Sequence, residues 1–251
     1  MESGSAHFFG ALYAGAGDAQ RKAAFVGALL ADGPGRIVDT AAGVGDVAFL
    51  LAREGHTVLG FEPCREMYAV LFDRFSHAAD IRHLAAFFPI RFDDYPLDPR
   101  ADAVVASNHW SHLDPAARES LLARSLRGLR PGGLLVMNCA QHTPLRSDQP
   151  WDEVHKRVFG HLVIRHLASS TALPGGESRQ IKFEYRMEYE GELVHAESAE
   201  YVLALDSPDA VSAKLAAAGF VDIRLRGGFA DTDYDPRLPG FVVVARKPSE
   251  D

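Results

Sequence analysis

The chain has 251 residues, 47% hydrophobic and 24% charged, the balance of a globular protein with a sizeable core, so long disorder is not expected. Acidic residues outnumber basic ones 34 to 26, for a net charge of −8; such a surface repels phosphate backbones and anionic lipid, so nucleic acid and membrane are not expected partners. Two cysteines without CxxC spacing, no apolar run of membrane length and no signal-peptide pattern in MESGSAHFFG argue against a disulfide scaffold or a cysteine zinc site and predict a soluble, cytoplasmic protein.

In chain order, residues 19–31 carry apolar side chains at helical spacing and end at the turn Gly33-Pro34-Gly35. Residues 36–40 (RIVDT) read as a buried strand, a glycine loop follows, and 46–54 reads as a helix stopped by Gly55 and His56. A strand at 57–61, a helix at 65–75, a weaker strand at 82–86 and a clear one at 102–107 come next. A helix at 115–129 stops at Pro131-Gly132-Gly133, and 134–138 is a fifth strand. Near-continuous apolar strands separated by helices predict a parallel sheet covered on both faces, the α/β Rossmann-like class.

The pattern changes after Ala140. Residues 141–180 read as polar and irregular, whereas 181–190 and 194–205 alternate with period two about a turn at 190–192, the mark of an antiparallel hairpin with one buried face. Ser207 is placed to cap a helix at 209–218 with Pro208 at its first position, and strands at 220–226 and 240–246 complete a seven-stranded sheet. The whole chain, 1–251, is expected to be a single domain in which 141–206 is an insert for substrate binding or dimerisation.

Val38-Asp39-Thr40-Ala41-Ala42-Gly43-Val44-Gly45-Asp46 is the most informative stretch. A strand ends in a carboxylate, small residues let the backbone approach a ligand, and the following helix offers unpaired N–H groups. Gly43-x-Gly45-x-x-Ala48 fits a dinucleotide fingerprint, but a pyrophosphate beside Asp39 and Asp46 would be repelled. A cationic, phosphate-free nucleoside fits better, and S-adenosylmethionine carries both a sulfonium and an α-amino group. Glu62, at the end of the second strand and 17 residues beyond Gly45, is placed to accept both hydroxyls of a ribose. Because a nicotinamide dinucleotide would use that group as well, an NAD(P)-dependent oxidoreductase is the alternative enzyme.

With Asp39-Thr40-Ala41-Ala42-Gly43-Val44-Gly45, Glu62 and Arg130-Pro131-Gly132-Gly133 in view, the sequence resembles the class I S-adenosylmethionine-dependent methyltransferases from about Tyr13 to Lys247. Ala41 stands where the family's glycine motif has its first glycine. The layout is similar to two small-molecule groups, the amino-sugar N,N-dimethyltransferases of natural-product pathways and the glycine N-methyltransferase-like enzymes. The resemblance implies methyl transfer to a nitrogen or oxygen of a small acceptor, with S-adenosyl-L-homocysteine as product. It further implies donor contacts from Tyr13, Asp39, Ala41, Gly43, Gly45, Glu62, Pro63, Met67, Phe87 and Asn108, and an N-terminal arm, residues 1–18, closing over the site. In place of the family's acidic residue after the third strand the chain has Ala85-Ala86-Phe87-Phe88, which leaves Phe87, Phe88, Asp93 and Asp94 as alternatives against adenine.

Ligands of open α/β sheets sit beyond the C-terminal strand ends, where strand order reverses, so the acceptor is expected at the fourth and fifth strands. The fourth leads into Ser107-Asn108-His109-Trp110-Ser111-His112: Trp110 is read as an aromatic wall, and His109 and His112 as bases titrating near neutrality. His142, after the fifth strand, is a third base candidate, and Gln141 stands beside it. Phe183, Tyr185 and Arg186 of the hairpin are expected to line the pocket, on whichever face proves to be buried. No carboxylate completes a metal set around the HxxH spacing, so no metal is expected. A methyltransferase-like binding protein without catalysis is the third reading, and a homodimer through the hairpin edge is a further expectation.

Overall fold

The computed structural model describes residues 17–30, 33–95, 100–141 and 148–249. Helix α1 (Gly17–Leu29) precedes strand β1 (Arg36–Asp39), which leads through the glycine loop into α2 (Asp46–Arg53), then β2 (Thr57–Phe61), α3 (Arg65–Ser76) and β3 (Ala85–Phe88). Strand β4 (Ala101–Ala106), α4 (Pro115–Gly128) and β5 (Leu129–Ala140) follow. An insert of four strands, β6 (Gln149–Phe159), β7 (Leu162–Ala172), β8 (Ser178–Tyr189) and β9 (Glu192–Ala204), returns to α5 (Pro208–Ala217), β10 (Val221–Arg226) and β11 (Gly240–Arg246).

The main sheet has the order β10-β11-β5-β4-β1-β2-β3. Its first five strands in sequence run parallel, while β11 is antiparallel to both β5 and β10. This is the expected seven-stranded Rossmann-like sheet with an antiparallel last strand. Side-chain alternation along the strands divides the core. Val38, Val104, Leu135 and Val243 pack against α4 and α5 on one face, and Ile37, Val58, Val105 and Val136 pack against α1, α2 and α3 on the other. The chain moves outward from β1 to β3 and then returns to the other side of β1, so strand order reverses between β1 and β4; there the connections diverge and leave a crevice at the strand ends.

The hairpin expected at 181–205 forms as β8 and β9, but the insert is larger than that hairpin. It is a separate four-stranded antiparallel sheet, ordered β6-β7-β8-β9, and the stretch read as irregular supplies two of its strands. Gly160 (φ 60°) makes the first turn, and Gly175 and Gly176, both with positive φ, make the second. Strand β3 is also displaced: residues 82–84 form a 3₁₀ turn closed by Leu84 N–H on Ile81 O, and pairing with β2 begins only at Ala85. Pro131-Gly132-Gly133 lies within β5, not ahead of it, at a register shift where Ala101 faces Leu129 and Ala103 faces Leu134. Ser207 and Asp114 cap α5 and α4 by accepting the N–H of Ala210 and Ala117, with proline following each, as side-chain oxygens do at helix starts.

Candidate active site

The glycine loop joins β1 to α2 through left-handed backbone at Gly43 (φ 58°) and Gly45 (φ 80°), conformations that side chains resist. A Cβ on Gly45 would also stand 3.0 Å from Leu71 Cγ. Glu62, at the end of the neighbouring strand, braces this bend: its Oε2 accepts Gly43 N–H at 2.8 Å and its Oε1 accepts Cys64 N–H at 2.8 Å. Asp39 is 3% exposed and accepts Ala41 N–H with Oδ1 at 3.2 Å. Burial is the largest influence on Asp39, and with the nearby Glu62 charge it raises the carboxyl to about 7, against a smaller pull from Lys22. Burial likewise raises Glu62, opposed by its two amide donors. Asp46 pairs with Arg74, so the negative character of the loop comes from Asp39 and Glu62.

Across the reversal point, β4 ends in a tied loop. Asn108 adopts φ 52°; its N–H donates to Asn138 Oδ1 at 2.7 Å, and Asn138 Nδ2 donates to Asn108 Oδ1 at 2.8 Å. His109 Nδ1 lies 2.9 Å from Thr40 Oγ1, which itself lies 3.2 Å from Val105 O. Residues Trp110–His112 form a 3₁₀ turn, whose Ser111 Oγ accepts Ala140 N–H at 2.9 Å. The His112 ring meets Tyr201 of β9 with centroids 4.8 Å apart. Burial first, reinforced by the neighbouring His112, pushes His109 down to about 4; burial also lowers His112. Both imidazoles are therefore neutral at pH 7.

Several expected site residues are engaged elsewhere. Trp110 is fully buried, and its Nε1–H donates to Asp206 Oδ2 at 3.0 Å while Arg118 donates to Asp206 Oδ1 at 2.9 Å and lies over the indole. It is a core residue and not an open wall, because an indole N–H taken out of water needs a buried acceptor. Gln141, 2% exposed, accepts from Tyr234 and donates to Leu238 O, so its amide is committed to the β10–β11 connection. Phe183 and Tyr185 belong to the buried face of the insert, with Ile164 and Tyr201. Arg186 lies one residue out of phase on the opposite face and pairs with Glu184, so these three residues do not share one wall.

On the donor side, Met67 is buried against Val44 beneath the loop, and Pro63 is exposed beside Glu62. The Phe87 ring packs on Phe75, with centroids 4.5 Å apart, whereas Phe88 stacks on Phe61. Asp93 is held to α4 by Ser120 and lies near Arg124. Tyr13, His142 and most of the 1–18 arm lie outside the described residues. Among the described residues no group of three or more His, Cys, Asp or Glu side chains is arranged to hold a metal, and no helix is long and apolar enough to cross a membrane. Sequence reasoning passed over Thr40, Tyr201 and Asp206. Only Thr40 carried a signal, as a small polar residue directly after the acidic end of β1.

Residues 37–133 match the family model described as a methyltransferase domain. The sheet order and the acidic ends of β1 and β2 agree with this match. The chain is thus similar to a methyltransferase domain over this stretch and has the Rossmann-like methyltransferase fold. Among solved structures, the methyltransferase CcbJ from Streptomyces caelestis is similar at 23% identity and TM-score 0.75, over 92% of this chain and 90% of that one. CalS10, an amino pentose methyltransferase from Micromonospora echinaspora, gives 19% identity and TM-score 0.70 over 91% and 89%. The sugar N-methyltransferase KedS8 from a Streptoalloteichus species gives 20% identity and TM-score 0.72 over 95% and 91%. At these identities they share the fold with this chain. No curated protein sequence matches the chain.

Proposed function

We propose that this protein transfers a methyl group to an amine nitrogen of a small acceptor, an amino sugar or a related metabolite of natural-product biosynthesis. The observation that carries the reading is the pair of buried carboxylates, Asp39 and Glu62, on either side of a left-handed glycine loop at adjacent strand ends. Asp39 would receive the α-amino group of the donor. Glu62 spends two acceptor positions on amides, and a carboxylate has about four, so capacity remains for the ribose hydroxyls. Ala41, Gly43 and Gly45 keep the backbone low beneath the ligand, Phe87 and Pro63 lie beside the nucleoside end, and Asn108 closes the far side. When bound, S-adenosylmethionine supplies an electrophilic methyl group whose transfer consumes the sulfonium charge.

The acceptor would lie between the β4 end and the buried face of the insert, over His112 and Tyr201, with Phe183 and Tyr185 behind. Nitrogen is favoured over oxygen by the two neutral histidines. A hydroxyl would need a base to take its proton, and a group held at about 4 is a weak one. An amine that arrives neutral brings its own lone pair and needs only to be oriented; correct placement alone can contribute about 7–11 kcal/mol to a bimolecular step. His109 and His112 accordingly hold the acceptor by hydrogen bonds. The similarity to CalS10 and KedS8, described as amino pentose and sugar N-methyltransferases, supports the amino-sugar assignment. The test is transfer from methyl-labelled donor to paired acceptors that differ only in an amine or a hydroxyl. The reading expects label on the amines; label on the hydroxyl partners alone contradicts it.

The outward face of the insert is proposed as the contact between two copies. Among the described residues, eight of the ten large apolar side chains with high exposure lie on the insert, including Val158, Leu193 and Val202. On the same face Arg165 pairs with Glu153 and Glu188, and Lys182 with Glu200, a mixture of signs that a two-fold axis can match against itself. Four strands about 4.8 Å apart and about 11 residues long give roughly 700 Å² per copy, the size of a standard stable interface.

A further inference from the structure

Thr40 is the first residue beyond β1 and is 2% exposed. Its hydroxyl has one proton and two neighbours, Val105 O at 3.2 Å and His109 Nδ1 at 2.9 Å. If that proton pointed to Nδ1, the lone pairs of Thr40 Oγ1 and Val105 O would face each other at 3.2 Å in a buried place, and the second contact would be repulsive. If it points to Val105 O, Oγ1 is free to accept, and both contacts become attractive once Nδ1 carries the imidazole proton. The carbonyl can take this hydroxyl in addition to Thr40 N–H, which it accepts at 3.0 Å, because it has two lone pairs. A neutral imidazole has one N–H, so a proton fixed on Nδ1 leaves Nε2 bare.

We propose that Thr40 is a positioning residue that locks His109 in the Nδ1–H tautomer, so that the acceptor end of the site presents a bare Nε2 and selects a ligand group that donates a hydrogen bond. An amine N–H or a hydroxyl satisfies that nitrogen; a carboxylate, phosphate or carbonyl oxygen placed there meets lone pair with lone pair. The selection, though not the tautomer, rests on the reading of this crevice as the methyl-acceptor site. Burial of His109 supports the assignment, since it keeps the imidazole neutral and prevents Nε2 from becoming a second donor.

The experiment is a long-range ¹H–¹⁵N correlation spectrum of histidine-labelled full-length protein at neutral pH, with His109 assigned by its loss in His109→Gln. The expected wild-type result is Nδ1 in the protonated nitrogen range and Nε2 in the unprotonated range. Thr40→Ser, which keeps the hydroxyl, preserves the pattern; Thr40→Val, nearly isosteric, loses the fixed assignment while the His112 signals stay in place. A wild-type His109 protonated on Nε2, or a Thr40→Val spectrum equal to wild type, overturns the proposal. Should Thr40→Val fail to fold, the wild-type and serine spectra still decide it. With any amine that the wild type methylates, Thr40→Val is expected to lower kcat/KM about tenfold, the loss of one oriented hydrogen bond, and to add nothing in a His109→Gln background; full additivity counts against it. Donor binding measured by calorimetry fails independently, so a wrong donor assignment and a wrong tautomer are distinguishable.

Discussion

At the scale of single residues, Asp39 has the most consequential electrostatics. An unfolded chain ionises this carboxyl near 3.8, whereas burial raises the folded value to about 7. Its contribution therefore favours the ligand-free fold fully below the unfolded value and declines as pH rises toward the folded one. A bound ammonium reverses the preference, because it needs the anion. Donor affinity should consequently rise from about pH 6 to about pH 8, and binding near the lower value should release a proton. Calorimetry in two buffers of different ionisation enthalpy reads that proton directly. Asp39→Asn should abolish the pH dependence and weaken binding by about 1.5–3 kcal/mol, the range for a hydrogen bond to a charged group; an unchanged pH profile in the variant would remove Asp39 from the site. Asp39 stands out in the sequence as a candidate because a carboxylate ending a buried strand ahead of two glycines has few structural uses. Trp110 was legible only as an aromatic beside two histidines, since its partner Asp206 lies 96 positions away.

At the scale of elements, Asp206 ties the return of the insert to the β4 end. Its backbone N–H donates to Ala140 O, and its carboxylate holds both Trp110 and Arg118. The Arg118 and Asp206 side chains are only 10% and 7% exposed, so removing one charge leaves the other buried without compensation. Asp206→Ala should cost about 3–5 kcal/mol in chemical denaturation and shift Trp110 emission to the red; a loss below about 1 kcal/mol, the scale of an exposed pair, would show that the pair contributes little. The main sheet could be read from sequence because its strands are buried on both faces and appear as apolar runs. The insert could be read only in part. Strand β6 is exposed along almost its whole length, so no buried face imposed a period on its side chains. In β7 Arg165 and His166 interrupt the apolar pattern, with Arg165 satisfied by glutamates on β6 and β8. Period two in β8 and β9 revealed a buried face without saying which, and the contact of Tyr201 with His112 orients that face toward the β4 end.

At the scale of the whole molecule, one sheet brings the glycine loop and the β4 loop, the proposed donor and acceptor sites, to the same edge, and Tyr201 of a second sheet meets the β4 loop. This division explains why apolar exposure concentrates on the insert: its inner face belongs to the proposed acceptor site, and its outer face has no partner among the described residues. If that outer face joins two copies, sedimentation should give a dimer, and charging its two edge strands with Val158→Lys and Val202→Lys should give a monomer with an unchanged fold; a monomeric wild type at high concentration would dismiss the contact. The central claim, a buried carboxylate pair that receives a cationic nucleoside and turns away a diphosphate, meets its most direct test in calorimetry of the full chain. S-adenosylhomocysteine, which keeps the α-ammonium and the ribose, should bind at micromolar concentration, and NAD and NADP should not bind. Saturable dinucleotide binding with no response to S-adenosylhomocysteine would contradict the account.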